Sequence, residues 1–147
     1  MNTMLTKAIT ALFGTKPKSM GPVQWRFAVR GGVHNIYKVH ITAFINDKWR
    51  LAAAGPTSGG PLPTTIEFED SRDILVHNGP ETMGHVKKAH NRQNGAITNY
   101  YTHIINYVQE VYAFSVPATL KGKISYMPFT EKQCLGLMEH PFEIGLG

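Results

Sequence analysis

The chain has 147 residues, 15 basic and 10 acidic side chains for a formal net charge of +5, 42% hydrophobic and 17% charged residues, and one cysteine. That length suits one domain able to bury roughly two thirds of the surface its unfolded form exposes, so no staples are needed. The single cysteine excludes an intramolecular disulfide framework and every multi-cysteine zinc site, which points to a reducing compartment.

At the N-terminus Leu5, Ala8, Ile9, Leu12 and Phe13 fall on one face at helical spacing and Gly14 stops the pattern, which predicts a short amphipathic helix. The apolar run from Ile9 to Phe13 has no small-residue cleavage site behind it, so the protein is not expected to be secreted. No run approaches the roughly 18 apolar residues of a transmembrane helix. A basic stretch with Lys16 and Lys18 follows. Residues 1–20 therefore read as an arm and linker, and residues 21–147 as a single α+β domain.

From Val23 the apolar period becomes two, with Val23, Trp25, Phe27 and Val29 alternating with Gln24, Arg26, Ala28 and Arg30, the mark of a half-buried strand. Gly31-Gly32 turns the chain into a second strand over Ile36 to Ile45, and Asn46-Asp47 into a third over Lys48 to Ala54. The run from Gly55 to Pro63 holds neither helix nor central strand and reads as a loop. Thr64 to Glu69 alternates again, Asp73 to Val76 forms a short strand, and Pro80 opens a helix to about His90. Asn94-Gly95 separates it from the most distinctive segment.

That segment, Ala96 to Phe114, repeats apolar residues at helical spacing and carries one charge, Glu110. The pattern predicts a long helix covered on both sides, ended by Pro117. Leu120 to Phe129 reads as an edge strand, and Thr130 as the cap of a closing helix from Glu131 to about Glu139. The expected fold is α+β: an antiparallel sheet of four to six strands with helices packed on one face.

The basic groups are unevenly placed. Residues 1–50 hold eight of the fifteen (Lys7, Lys16, Lys18, Arg26, Arg30, Lys38, Lys48, Arg50) and only Asp47 as an acid, while Glu67, Glu69, Asp70, Asp73 and Glu81 cluster with only Arg72 among them. This asymmetry suits contact with anionic lipid or nucleic acid, or head-to-tail self-association. Contacts to a polyanion are expected from Lys7, Lys16, Lys18, Arg26, Arg30, Lys87, Lys88 and Arg92. Tyr100, Tyr101, Ile104, Tyr107, Val108 and Tyr112, aromatic-rich and nearly uncharged, are the expected self-association residues.

His77, His85 and His90 form the densest histidine group, but His85 and His90 are five apart and face apart on a helix, so no metal site is expected. Cys134, between Gln133 and Leu135-Gly136-Leu137, reads as a buried small hydrophobe. No serine has a nucleophile-elbow setting and neither glycine pair has the context of a phosphate loop. Neither catalytic residues nor a cofactor are expected.

The lysine-bearing amphipathic start, Leu5 to Lys18, followed by a body opening on Val23-Gln24-Trp25-Arg26-Phe27-Ala28-Val29, resembles the matrix proteins of negative-strand RNA viruses, particularly those of rhabdoviruses. The resemblance covers the first third of the chain, which lacks the proline-rich late-domain tetrapeptide with tyrosine and is short for that family. It implies a non-enzymatic virion protein that self-associates, sits peripherally on an anionic membrane and contacts the nucleocapsid, in the virion or host cytoplasm. The alternatives are a sequence-tolerant RNA- or DNA-binding protein and a small hydrolase or nuclease with His85 or His103 as base.

Overall fold

The alternating run that opens the body pairs antiparallel with the next one along its whole length, from Val23 against Ile45 to Gly31 against Tyr37. These are β1 (Val23–Gly31) and β2 (Ile36–Ile45), joined through a 3₁₀ turn at Val33–Asn35. Gly31 has φ of 97°, and a Cβ there would lie 2.8 Å from the Ile36 carbonyl oxygen, so this tight reversal admits glycine alone without strain. The computed structural model describes residues 21–54, 60–90 and 97–147.

Nine further strands follow: β3 (Leu51–Ala52), β4 (Thr65–Phe68), β5 (Ile74–Val76), β6 (Glu81–Met83), β7 (Lys87–His90), β8 (Ile97–Tyr101), β9 (Ile104–Ala113), β10 (Ala118–Tyr126) and β11 (Met138–Leu146). They form a five-stranded sheet in the order β1-β2-β9-β5 with β6 also on β9, and two three-stranded sheets, β11-β10-β4 and β3-β8-β7. Every named strand pair is antiparallel.

One apolar cluster unites the sheets. From β2 and β9 it takes Tyr37, Val39, Ile41, Ala43, Ile45, Ile105, Tyr107, Val111 and Ala113, and opposite them lie Leu120, Ile124, Tyr126, Phe142, Ile144 and Leu146 of β10 and β11. Trp25 bridges the layers, its ring 5.3 Å from that of Tyr126 at 70° and 6.3 Å from that of Tyr107. Phe27 stands 5.3 Å from Phe142 in the same seam. This is sheet-on-sheet packing, in which inward residues of both layers interdigitate.

The expected α+β class is therefore corrected to an all-β protein: among the described residues the helical conformation is confined to the Val33–Asn35 turn. The segment read as a long two-sided helix is β8 and β9, broken at His103 with φ of 67°. Its apolar residues recur without strict alternation because β9 lies between β2 on one side and β5 and β6 on the other, and is buried on both faces near its start, from Ile104 to Tyr107. A central strand covered on both faces loses the period of two, and its Ile, Val, Thr and Tyr content favours the pleated backbone.

The helix expected from Pro80 to His90 is β6 and β7, interrupted by Gly84, where a Cβ would meet the Tyr101 ring and Ile105 at 3.1 Å. The closing helix expected from Glu131 to about Glu139 does not form. Thr130 Oγ1 accepts from the Lys132 and Gln133 amides, as a cap does, but the Thr130 amide then donates to the Gln133 carbonyl and the chain reverses toward β11. Strand β11 has no counterpart among the elements expected from the sequence. The amphipathic helix expected at residues 1–20 and most of the expected loop from Gly55 to Pro63 lie outside the described residues.

Candidate functional site

The segment from Met127 to Leu137 leaves β10 and folds over the end of the β3-β8-β7 sheet. Its anchor is a two-way backbone bridge: the Arg50 amide donates to the Phe129 carbonyl at 2.8 Å and the Phe129 amide to the Arg50 carbonyl at 3.1 Å. Phe129 pairs in turn with Cys134, and the Leu135 amide donates to the Pro128 carbonyl at 3.0 Å. The loop is thus built like a miniature hairpin with residues 130–133 at its tip.

Side chains repeat the attachment. The Arg50 guanidinium carbon lies 4.4 Å from the centre of the Tyr100 ring, and one of its nitrogens 3.0 Å from Glu131 Oε1. Tyr100 meets Phe129 edge-on at 6.3 Å and 80°. Arg50 is largely covered while Glu131 stands in solvent, so the stack fixes the guanidinium against β8, the ion pair adds little, and the loop is held by the backbone bridge and the Tyr100–Phe129 contact.

Two concavities of about 700 Å³ flank the 130–133 tip. One is lined by Asp47, Lys48, Trp49 and Arg50 from the turn after β2; the other by Ala89, His90 and Thr98 of the β7-β8 pair, with Phe129, Gln133 and Cys134. Arg50 also lines a third hollow of about 320 Å³ with Lys87, Tyr100 and His103. Cys134, read from its neighbours as buried, is exposed, and its Sγ lies 3.4 Å from the Leu135 carbonyl oxygen.

The expected contact residues are dispersed. Arg26 and Arg30 lie on the outer side of β1, Lys87 and Lys88 on β7 in another sheet, and Lys7, Lys16, Lys18 and Arg92 outside the described residues. Of the expected self-association residues, Tyr101, Ile104 and Tyr107 are buried within the chain, Tyr100 and Val108 half-buried, and Tyr112 exposed, its ring 5.0 Å from Phe114. Burial pushes the Tyr107 hydroxyl far above the ordinary tyrosine range and Tyr101 upward too. Of the acidic cluster, Glu67 joins Lys123 at 3.9 Å, and Lys123 also reaches Glu139 at 3.3 Å.

His85 and His103, the candidate bases, are exposed, and His103 Nδ1 lies 3.0 Å from Thr102 Oγ1. Among the described residues no group of three or more His, Cys, Asp or Glu side chains is placed to hold a metal. Arg50, Phe129 and Glu131 carried no signal in the sequence, because what assembles them is a pairing between positions some eighty residues apart.

No family model and no curated protein matches this chain. Its fold does recur among solved structures. The N-terminal periplasmic domain of ScsB from Proteus mirabilis superposes with a TM-score of 0.57 at 16% identity, over 88% of this chain and 48% of that one, so the chain spans about half the length of that protein. The N-terminal domain of Neisseria meningitidis DsbD in its reduced form superposes with a TM-score of 0.56 at 17% identity, over 84% and 85% of the two chains. At such identities the likeness establishes a shared β-sheet architecture and nothing about viral matrix proteins.

Proposed function

We propose that this chain is a protein-docking β-sandwich domain whose working surface is the 127–137 loop and the concavities beside it, and which engages its partner through the Cys134 thiol. The observation that carries the reading is an exposed thiol in a groove whose walls are fixed by a stacked guanidinium and an aromatic pair. A rigid wall with aromatic and arginine anchors is what a docking surface uses, and it has adaptable polar groups at its rim in Gln133, Lys132 and Glu131.

One cysteine sets the chemistry. It cannot close a disulfide within these 147 residues, so an exchange cycle internal to the domain is ruled out. Its available reaction is intermolecular: the Cys134 thiolate attacks a partner's disulfide, forms a mixed disulfide, and releases the partner's other sulfur as a thiolate. A thiol of the partner reverses the step. The neighbours' descriptions, a periplasmic domain and a domain in its reduced form, suit a module working beside thiol chemistry.

The test separates docking from simple exposure. A thioredoxin whose buried active-site cysteine is replaced, with the other activated as a mixed disulfide with an aromatic thiol, is mixed with the full chain and release of the coloured thiol is followed. Docking predicts a rate constant at least about tenfold above that of a free peptide spanning residues 127–137, lost in Cys134→Ser. Equal rates for chain and peptide would refute a docking role for the groove.

A further inference from the structure

Strand β1 stands at one end of the five-stranded sheet. Two bonds just beyond its paired residues show which way its backbone groups point: the Asn46 amide donates to the Pro22 carbonyl at 2.8 Å, and the Gly32 amide to the Ile36 carbonyl at 2.7 Å. Both continue the register of β1 on β2. In an antiparallel ladder bonded and non-bonded pairs alternate, so Gln24, Arg26, Ala28 and Arg30 direct their amides and carbonyls at β2, while Trp25, Phe27 and Val29 direct theirs away from the sheet. Among the described residues no backbone group pairs with these three.

The other sheet edges among the described residues are of a different kind. β3, β4, β5, β6 and β7 are two to four residues long. β11 is as long as β1 but has Pro141, which lacks an N–H, in its middle, and its Glu139 and Glu143 are joined to Lys123 and Lys121. β1 has no proline within it, and its nine residues pair one to one with β2 without a bulge. A long regular edge is a template for a further strand.

The side chains select which strand. Arg26 and Arg30 are exposed and share the outer face of β1 with Ala28 between them. The ion pairs among the described residues are those of Arg50, Lys121 and Lys123, so neither arginine is in one. Arg30 lies directly across from Lys38, so its neighbour in the ladder repels it. An acid on the opposite flank relieves that repulsion, whereas a second copy of β1 adds two more arginines to the same face.

We propose that the β1 edge binds an extended acidic segment of another protein by strand addition. The backbone of that segment pairs with Trp25, Phe27 and Val29, and two carboxylates four residues apart, about 13 Å along a strand, lie opposite Arg26 and Arg30. Its alternate side chains are apolar, because they border the Phe27 ring, which stacks on His140 at 5.9 Å and stands 5.3 Å from Phe142. Backbone pairing supplies the affinity and the arginine spacing the selectivity.

The surface does not involve Cys134, so the experiment uses the full chain carrying Cys134→Ser. The probe is a fluorescein-labelled nine-residue peptide of alternating valine and polar residues with two glutamates four positions apart, compared by fluorescence anisotropy with the same peptide carrying two lysines. Strand addition predicts that the glutamate peptide binds at least about fivefold more tightly, and that Arg26→Glu with Arg30→Glu reverses the preference. Lys88→Glu with Lys121→Glu, the same change of net charge on other sheets, preserves it. Val29→Pro removes an N–H that β2 does not use, so it abolishes binding of the glutamate peptide while thermal unfolding shows the sandwich intact. As a measure that needs no variant, hydrogen exchange at the Phe27 and Val29 amides slows when the peptide binds. Equal binding of the two peptides, or exchange at these amides that ignores a bound peptide, overturns the proposal. A mass that rises with protein concentration and is returned to monomer by Val29→Pro, without peptide binding, assigns the edge to a second copy and overturns it equally.

Discussion

Arg50 stacks on Tyr100: its guanidinium carbon stands 4.4 Å from the ring centre, which ties the turn after β2 to β8 where Phe129 of the 127–137 loop meets both. The Arg50 backbone already pairs with Phe129, so the side chain acts on a loop whose position the main chain has set.

Replacing Arg50 by alanine should lower domain stability by about 1–2 kcal/mol, most of it from the stacked contact, since Glu131 is exposed and its ion pair contributes little. Arg50→Lys keeps the charge but loses the planar fork, and should recover less than half of that loss. Denaturant midpoints for the two variants measure it. If the proposed docking role is correct, Arg50→Ala also slows the thioredoxin exchange while leaving the labelling of Cys134 by a small disulfide reagent unchanged or faster.

The sandwich core gives a second expectation. Leu120 and Ile124 are 1% and 0% exposed and face β2 and β9 across the layer. Truncation of either to alanine should cost about 2–5 kcal/mol, the spread reflecting how far neighbouring side chains collapse into the cavity. Thr119→Ala, on the exposed side of the same strand, should stay within about 0.5 kcal/mol of the parent. A uniform loss at all three positions would contradict the two-layer packing.

How much of this was legible in the chain follows from which faces are covered. β1 and the start of β2 show clean alternation, because one side meets the core and the other meets water near Arg26, Arg30 and Lys38, and both strands and the Gly31-Gly32 turn were readable from it. β9 is covered on both faces at Ile104 to Tyr107, and its apolar residues then satisfy a helical spacing as well as they fit a strand. Thr130 illustrates the same limit at a loop: its hydroxyl does accept from amides two and three residues on, as a cap does, yet the Thr130 amide donates to the Gln133 carbonyl and Phe129 pairs with Cys134, so the chain reverses instead of continuing as a helix. β11 carries Pro141 and Gly145 in a nine-residue edge strand, features that argue against strand locally and that only pairing with β10 overrides. The candidate site was invisible because Arg50, Tyr100 and Phe129 share no local pattern.

Gly122 provides a third expectation. It sits in β10 between β4 and β11, where a Cβ would come within 2.2 Å of the Glu67 carbonyl oxygen and 2.7 Å of Phe142 Cζ. The first contact is with backbone, which cannot swing aside. Gly122→Ala should therefore destabilise the fold by about 2–4 kcal/mol, although alanine is the better strand former of the two. Gly145→Ala, in open space on the neighbouring strand, should be close to neutral in the same denaturant series.

The His40–Asn106–Thr42 chain sets a pH dependence whose sign can be worked out. Thr42 Oγ1 donates to Asn106 Oδ1, so Asn106 presents Nδ2, a donor, to His40 Nδ1, which must then be the unprotonated ring nitrogen. Burial, then the neighbouring charges of Arg30 and Lys38, hold the His40 imidazole below its ordinary value of 6.5. The unfolded chain therefore takes up a proton near pH 6.5 while the folded chain does not, and stability falls as pH drops below that value until the folded imidazole also titrates. Above it both states are neutral at this position and the contribution is flat. His40→Gln, which keeps an acceptor for Asn106 and cannot titrate, should flatten the loss of stability between about pH 6.5 and 5. Chemical denaturation of parent and variant across that interval measures it, and parallel pH profiles would show that the imidazole is not the group responsible.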